Sequence, residues 1–165
     1  MPTNDQTFDT FALSEKNRHA HDVALAVSEK PAEVHNPLVI WGATGTGKTH
    51  LLQAIASHTH SLNRWVRTLY APTYAYRDEF MSSIPDGQKE FRRRYRDLDM
   101  LLIDDIQDLA GKAGLEEVFL FILDALLAAG KQVVMTCDVA PEELEIQDKR
   151  LRRRIMSGLT VEIRV

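Results

Sequence analysis

The run GATGTGKT at residues 42–49 constrains this chain more than any other stretch. Gly42, Gly47, Lys48 and Thr49 stand in the order G-x-x-x-x-G-K-T, with Gly45 and Thr46 inside the loop. Glycines admit the backbone turns that aim successive N–H groups inward. A lysine at the loop's end reaches the outer oxygens of a polyphosphate, and the adjacent hydroxyl is placed for a hard cation. The spacing carries this meaning only between a strand and a helix. PLVIW at 37–41 is short and apolar, as a buried strand is, and HLLQAIASHTHSL puts Leu51, Leu52, Ile55 and Ala56 on one face of a helix starting near Lys48.

The alternation continues along the chain. A helix is expected over about 17–29, closed by Pro31, and further strands at WVRTLYA (65–71), DMLLIDD (99–105), KQVVMTC (131–137) and LTVEIRV (159–165). Short helices are expected over 74–83 and 88–96, separated by Pro85, Asp86 and Gly87. A long helix over 115–129 ends at Gly130, and shorter ones follow from Pro141 and over 148–157. Five strands alternating with helices predict an α/β fold, a mostly parallel sheet covered on both faces. Residues 1–7 are polar and expected to be flexible, leaving 8–165 as one nucleotide-binding core, a size that buries one hydrophobic interior without disulfides. Cys137 is the only cysteine and the N-terminus lacks a signal-peptide pattern, so a cytoplasmic location is expected. VFLFILDALLAA at 118–129 is too short to span a bilayer and carries Asp124, which predicts a buried helix and no membrane partner. A net charge of −4 argues against indiscriminate polyanion binding, with FRRRYR (91–96) and KRLRRR (149–154) as local exceptions.

A phosphate loop needs an acid on a neighbouring strand for its Mg²⁺, and LLIDD supplies Asp104 for the metal and Asp105 to orient or deprotonate a water. Aspartate is one methylene shorter than glutamate, so slow turnover is expected. A polar group near the γ-phosphate is offered by either Thr136 or Asp138. Arg150 and Arg154 share a helix face at i, i+4, as a pair of arginine fingers toward a neighbouring subunit or as a solvated basic face. FRRRYR is either a charged helix surface or a grip on nucleic-acid phosphates, with Arg92 and Arg93 as contacts and Tyr95 available to stack. The six histidines lack metal-ligand spacing, and Cys137 reads as a small apolar residue.

TFDTFALSEKNRHA, NPLVIWGATGTGKTHLLQAI, FRRRYRDLDMLLIDDIQDLAGK, and KQVVMTCD followed by KRLRRRIMSGLTVEI together resemble the nucleotide-binding core of the bacterial replication initiators of the DnaA family, over residues 7–164. The resemblance implies an AAA+ module: a three-layer core whose five parallel strands run in the order 5-1-4-3-2. On that resemblance, residues 8–165 are expected to be the core without the family's small helical lid or its helix-turn-helix domain. It implies ATP or ADP with Mg²⁺ as ligands, phosphate contacts at Gly45, Gly47, Lys48 and Thr49, the metal acid at Asp104 and its partner at Asp105. The sensing residue falls at Asp138, the trans-acting finger at Arg154 and an accessory interface arginine at Arg150. The implied function is a slow ATPase switch in replication initiation, assembling head to tail. Its partners would be a full-length initiator, single-stranded DNA and a replicative helicase. The alternative is a non-catalytic regulator of an initiator or helicase. Departures from the family pattern are Ser14 for a glycine, Lys149 for an acid, Asp108 within an apolar pair, and Gly114 where many initiators place an arginine toward DNA.

Overall fold

The three central strands are short, mainly apolar and flanked by helices, and strands with those properties are buried from both sides, while the two edge strands are half-buried. In the computed structural model, which describes residues 5–165, the strands are β1 (Leu38–Trp41), β2 (Thr68–Pro72), β3 (Met100–Asp104), β4 (Gln132–Cys137) and β5 (Leu159–Glu162). They form one all-parallel sheet in the order β2-β3-β4-β1-β5, which is the expected 5-1-4-3-2 read from the other edge. The helices are α1 (Arg18–Glu29), α2 (Lys48–Leu62), α3 (Thr73–Ser83), α4 (Lys89–Arg96), α5 (Ala113–Ala128) and α6 (Lys149–Ile155).

Strand alternation divides the interior in two. Leu38, Ile40, Met100, Leu102 and Val134 point to the face covered by α1 and α2, where they meet Ala24, Val27, Leu51, Leu52 and Ile55. Val39, Leu101, Ile103, Val133 and Met135 point to the opposite face and pack on Tyr76, Phe91, Phe119, Ile122 and Leu123 from the later helices. Full burial of each such aliphatic side chain stabilises by about 1.5–3 kcal/mol, so the two clusters carry the three layers. Asp99 ties three strands together just before β3. Its carboxylate accepts from the Arg67 backbone N–H at 2.9 Å, the Arg67 Nε at 3.2 Å and the Lys131 Nζ at 2.9 Å. The Arg67 guanidinium beside it, with Lys131, holds this carboxyl far below the usual carboxylate range.

The element boundaries differ from expectation at several places, three of which shape the sheet and the site. β2 begins at Thr68 rather than residue 65, because Asn63 forms a turn whose carbonyl accepts from Val66 N–H at 3.2 Å, leaving Trp65 78% exposed. β5 stops at Glu162, although Ile163 still donates its N–H to the Trp41 carbonyl at 2.8 Å. A 3-10 turn over Ile106–Leu109, not expected, follows β3 directly. Of the N-terminal stretch 1–7, residues 1–4 lie outside the described residues. Beyond them Thr10 Oγ1 donates to the Asp5 carbonyl at 2.6 Å and His50 Nε2 sits 2.8 Å from the Thr7 carbonyl. Among the described residues no helix is long and apolar enough to cross a membrane.

β5 reaches its place beside β1 through a close backbone approach at Gly158. A Cβ there would lie 1.9 Å from the Pro37 carbonyl oxygen and 2.7 Å from its nitrogen, and neither backbone atom can yield. Gly158→Ala is therefore expected to destabilise the chain by at least about 2 kcal/mol through overpacking. Urea unfolding of the two proteins checks this, and equal midpoints would show that β5 docks with slack.

Candidate functional site: a phosphate loop and its acidic strand end

β1 delivers the chain into the loop at Gly42, whose N–H donates to the Cys137 carbonyl at 3.2 Å and so ties the loop to the end of β4. The loop closes at Gly47, which caps α2 with φ +101°, a left-handed conformation that a side chain would strain. Phe11 closes one side, since a Cβ on Gly47 would lie 2.9 Å from its ring. Lys48 is only 6% exposed and folds back over the loop, donating to the carbonyls of Gly42 at 2.7 Å and Ala43 at 2.9 Å. Thr46 Oγ1 donates to the same Ala43 carbonyl at 2.8 Å, bracing the turn. A cavity of about 420 Å³ opens beside this loop, lined by Gly45, Lys48, Thr49, Asp105 and Gln107 among others.

Asp104 ends β3 on the side of the sheet that faces α2, because it follows Met100 and Leu102 in the alternation. Its carboxylate is a junction. Oδ2 accepts from Thr49 Oγ1 at 2.7 Å and from the Tyr70 hydroxyl at 2.9 Å, and Oδ1 accepts a short bond from Thr136 Oγ1. Thr73, at the start of α3, donates to the Asp104 backbone carbonyl at 2.8 Å. Lys48 and Thr49 line the cavity, with Asp104 hydrogen-bonded behind Thr49, and this cation with its oxygen donors fits a magnesium-bound polyphosphate.

Asp105 leaves the strand with φ +62°, a conformation rarely adopted by an aspartate. Its N–H donates to Thr136 Oγ1 at 2.9 Å, and its Oδ1 accepts from Gln107 Nε2 at 3.2 Å. Burial raises its carboxyl above the ordinary value and the Asp104 charge adds to this, while the Gln107 bond works in the other direction. The positive φ is held from both sides by these bonds, so the carboxylate is presented to the cavity rather than to bulk water.

Of the two residues offered by β4, Thr136 is fully buried and bonded to both aspartates, whereas Asp138 lies exposed one residue past the strand end. Arg150 and Arg154 do share one groove, of about 450 Å³, with Leu120, Asp124, Arg153 and Ser157. None of these residues lines the phosphate-loop cavity. There Arg154 Nε pairs with Asp124 Oδ1 at 2.5 Å, and Arg150 pairs with Asp148 at 3.0 Å. On α4, Arg92 lies over the Phe121 ring at 5.0 Å and Arg93 pairs with Asp97 at 3.6 Å. Tyr95 corrects the sequence reading. It is fully buried against Tyr76 and Phe91, with centroids 5.2 and 4.7 Å apart, so it has no face for a base. Cys137 is buried and its thiol is pushed up to about 12, mainly by burial.

A family profile described as the bacterial DnaA ATPase domain matches residues 3–162. The chain belongs to this family. Domain III of the Thermotoga maritima DnaA superposes with a TM-score of 0.95 at 35% identity, covering 99% of this chain and 69% of that one. The AMPPCP-bound DnaA of Aquifex aeolicus gives 0.92 at 33% identity, covering 99% of this chain and 51% of that one. A DnaA bound to AMPPCP and single-stranded DNA gives 0.94 at 32% identity, covering all of this chain, 100%, and 51% of its own length. The chain thus spans about half the length of these longer DnaA chains. The resemblance read from the quoted motifs and the DnaA-type AAA+ fold are both shown by these matches.

Asp105 yields a test that needs no nucleotide. Its folded pKa is raised, so the native state holds the proton more tightly than the unfolded chain, and stability falls as pH rises through the unfolded value toward the native one. Asparagine tolerates a positive φ and does not titrate. Asp105→Asn is expected to raise the melting temperature at pH 7 by roughly 2–5 °C, the gain shrinking below about pH 4. Scanning calorimetry at the two pH values checks it, and an unchanged or lower value at pH 7 would show that folding does not penalise the charged carboxylate.

Proposed function

We propose that this chain is the ATP-binding module of a DnaA-type replication initiator, acting as a nucleotide switch with slow, Mg²⁺-dependent hydrolysis. The observation that carries the reading is the loop geometry: left-handed Gly47, a buried Lys48 held over the cavity, and Thr49 hydrogen-bonded to Asp104. In this reading the loop N–H groups from Gly45 to Thr49 and the start of α2 receive the phosphates. Lys48 exchanges its two carbonyl partners for phosphate oxygens, a charge-assisted contact in place of neutral ones. Thr49 and Asp104 hold Mg²⁺, which when bound offsets charge on the transferring phosphoryl group. Asp105 orients the attacking water, and Asp138 senses the γ-phosphate from the end of β4.

The AMPPCP bound by two of the similar DnaA chains supports ATP as the ligand, and the single-stranded DNA bound by one of them supports single-stranded DNA as a partner, which in this reading meets Arg92 and Arg93 of α4. Head-to-tail assembly would bring Arg154, with Arg150 beside it, to the nucleotide of a neighbouring copy.

Calorimetric titration with ATP and ADP, with Mg²⁺ or with chelator, tests the reading. Lys48→Ala is expected to weaken ATP binding at least about 30-fold, the scale of a lost charge-assisted bond in a partly dry site. A folded wild type that binds neither nucleotide would overturn the proposal. Arg154→Ala is expected to leave ATP affinity within about twofold and to lower assembly-dependent turnover by about 10³ or more. Turnover that persists would remove the trans-acting finger while leaving the nucleotide site standing.

A further inference from the structure

Tyr70 has no part in the phosphate-loop motif or in the acidic strand end, yet its hydroxyl reaches the carboxylate on which both converge. It stands in β2, where Pro72 pairs with Asp104 and Tyr70 with Leu102, so alternation places its ring on the α2 face of the sheet. From there the phenol donates to Asp104 Oδ2 at 2.9 Å, the same oxygen that accepts from Thr49 at 2.7 Å.

A carboxylate offers about four lone-pair sites. Thr49 and Tyr70 take both on Oδ2, and Thr136 takes one on Oδ1. Two consequences follow. The Thr49 proton is committed to Asp104, which turns the hydroxyl's lone pairs away from that carboxylate, where a cation would need them. The Asp104 carboxylate, gripped at each oxygen from a different strand, cannot rotate about its terminal bond without breaking one of the bonds. A phenol also delivers this donor at low entropic cost, because its ring is half-buried in the sheet–α2 layer.

We propose that Tyr70 is a positioning residue for the divalent cation of this site: it fixes the Asp104 carboxylate so that Thr49 presents its oxygen to the metal. The role rests on the nucleotide-binding reading above. Burial and the neighbouring Asp104 raise the phenol well above its ordinary value, which keeps the donor protonated.

Tyr70→Phe removes the hydroxyl and keeps the ring. ATP affinity is measured by calorimetry with chelator and across a Mg²⁺ series, alongside melting temperature. The variant is expected to need about 5- to 20-fold more Mg²⁺ for the half-maximal gain in affinity, with the chelator value within about twofold of wild type, as for loss of one hydrogen bond to a charged group. Thr136→Val, which empties the Oδ1 side, is expected to shift the Mg²⁺ midpoint in the same direction and serves if Tyr70→Phe does not fold. An unchanged Mg²⁺ midpoint in a folded Tyr70→Phe protein would overturn the positioning role. So would equal losses with and without Mg²⁺, which mark a packing role only. A wild type that binds ATP with no response to Mg²⁺ would overturn the metal reading itself, and one that binds no ATP the function above, so the failures are distinguishable.

Discussion

The Asp104 carboxylate is the point on which the site and much of the sheet depend. Thr49 from α2, Tyr70 from β2 and Thr136 from β4 all donate to it, and Thr73 at the start of α3 donates to its backbone carbonyl. Four elements, α2, the contiguous β2 and α3, and β4, are therefore registered against one residue. A buried carboxylate left without donors costs several kcal/mol. With three hydroxyl donors it is satisfied without a cation in direct contact, so the fold does not need a bound metal to hold its acid in place. The same bonds make the site responsive. Any ligand that draws the Thr49 oxygen outward pulls on a carboxylate shared with β2 and β4.

The residue after this junction breaks a local backbone rule, as Ala32 and Gln88 also do among the described residues. Asp105 has a positive φ, is partly buried, and faces the charge of Asp104, each of which is unfavourable. Two hydrogen bonds, from its own N–H to Thr136 and from Gln107 to its carboxylate, hold it there. The 3-10 turn over Ile106–Leu109 is part of the same solution. It bends the chain sharply enough to return Gln107 to Asp105, and it buries Ile106 and Leu109 as its anchors. Strain concentrated at one residue, with well-packed apolar strands on each side, is how a rigid scaffold presents a carboxylate to a cavity.

The layers were legible because period-two burial and period-3.6 faces are properties of the sequence itself. Met100 to Ile103 read as a strand covered twice, and Leu51, Leu52, Ile55 and Ala56 as one buried helix face, and both are buried so in the fold. Strand order was not legible from those patterns and came from the family resemblance. Register, which neither supplied, decides the polar network. Tyr70 and Thr136 join Asp104 only because the pairings Tyr70↔Leu102 and Leu102↔Val134 put all three on the α2 face. With the register in hand, counting two residues onward from Leu102 and Val134 would have found the network. Tyr95 failed for the opposite reason. Its arginine neighbours suggested an exposed aromatic, whereas the i, i+4 pairing with Phe91 marks the buried face of α4, against Tyr76.

Arg150 and Arg154 of α6 add a geometric constraint on any action at a distance. Their groove, walled by Leu120 and Asp124 of α5, shares no lining residue with the cavity at the phosphate loop. The Asp124–Arg154 pair is half exposed on both sides, and such pairs are worth about 0–1 kcal/mol. Arg154 is thus held where it is only weakly, and exchanging Asp124 for a more charged, less hydrated partner is favourable. In the assembly proposed above, the loop receives a phosphate with this chain's own residues, whereas Arg154 would meet a phosphate held by a neighbouring copy. Under that proposal folding sets the cavity and assembly sets the partner of the arginine, so the two would be controlled separately.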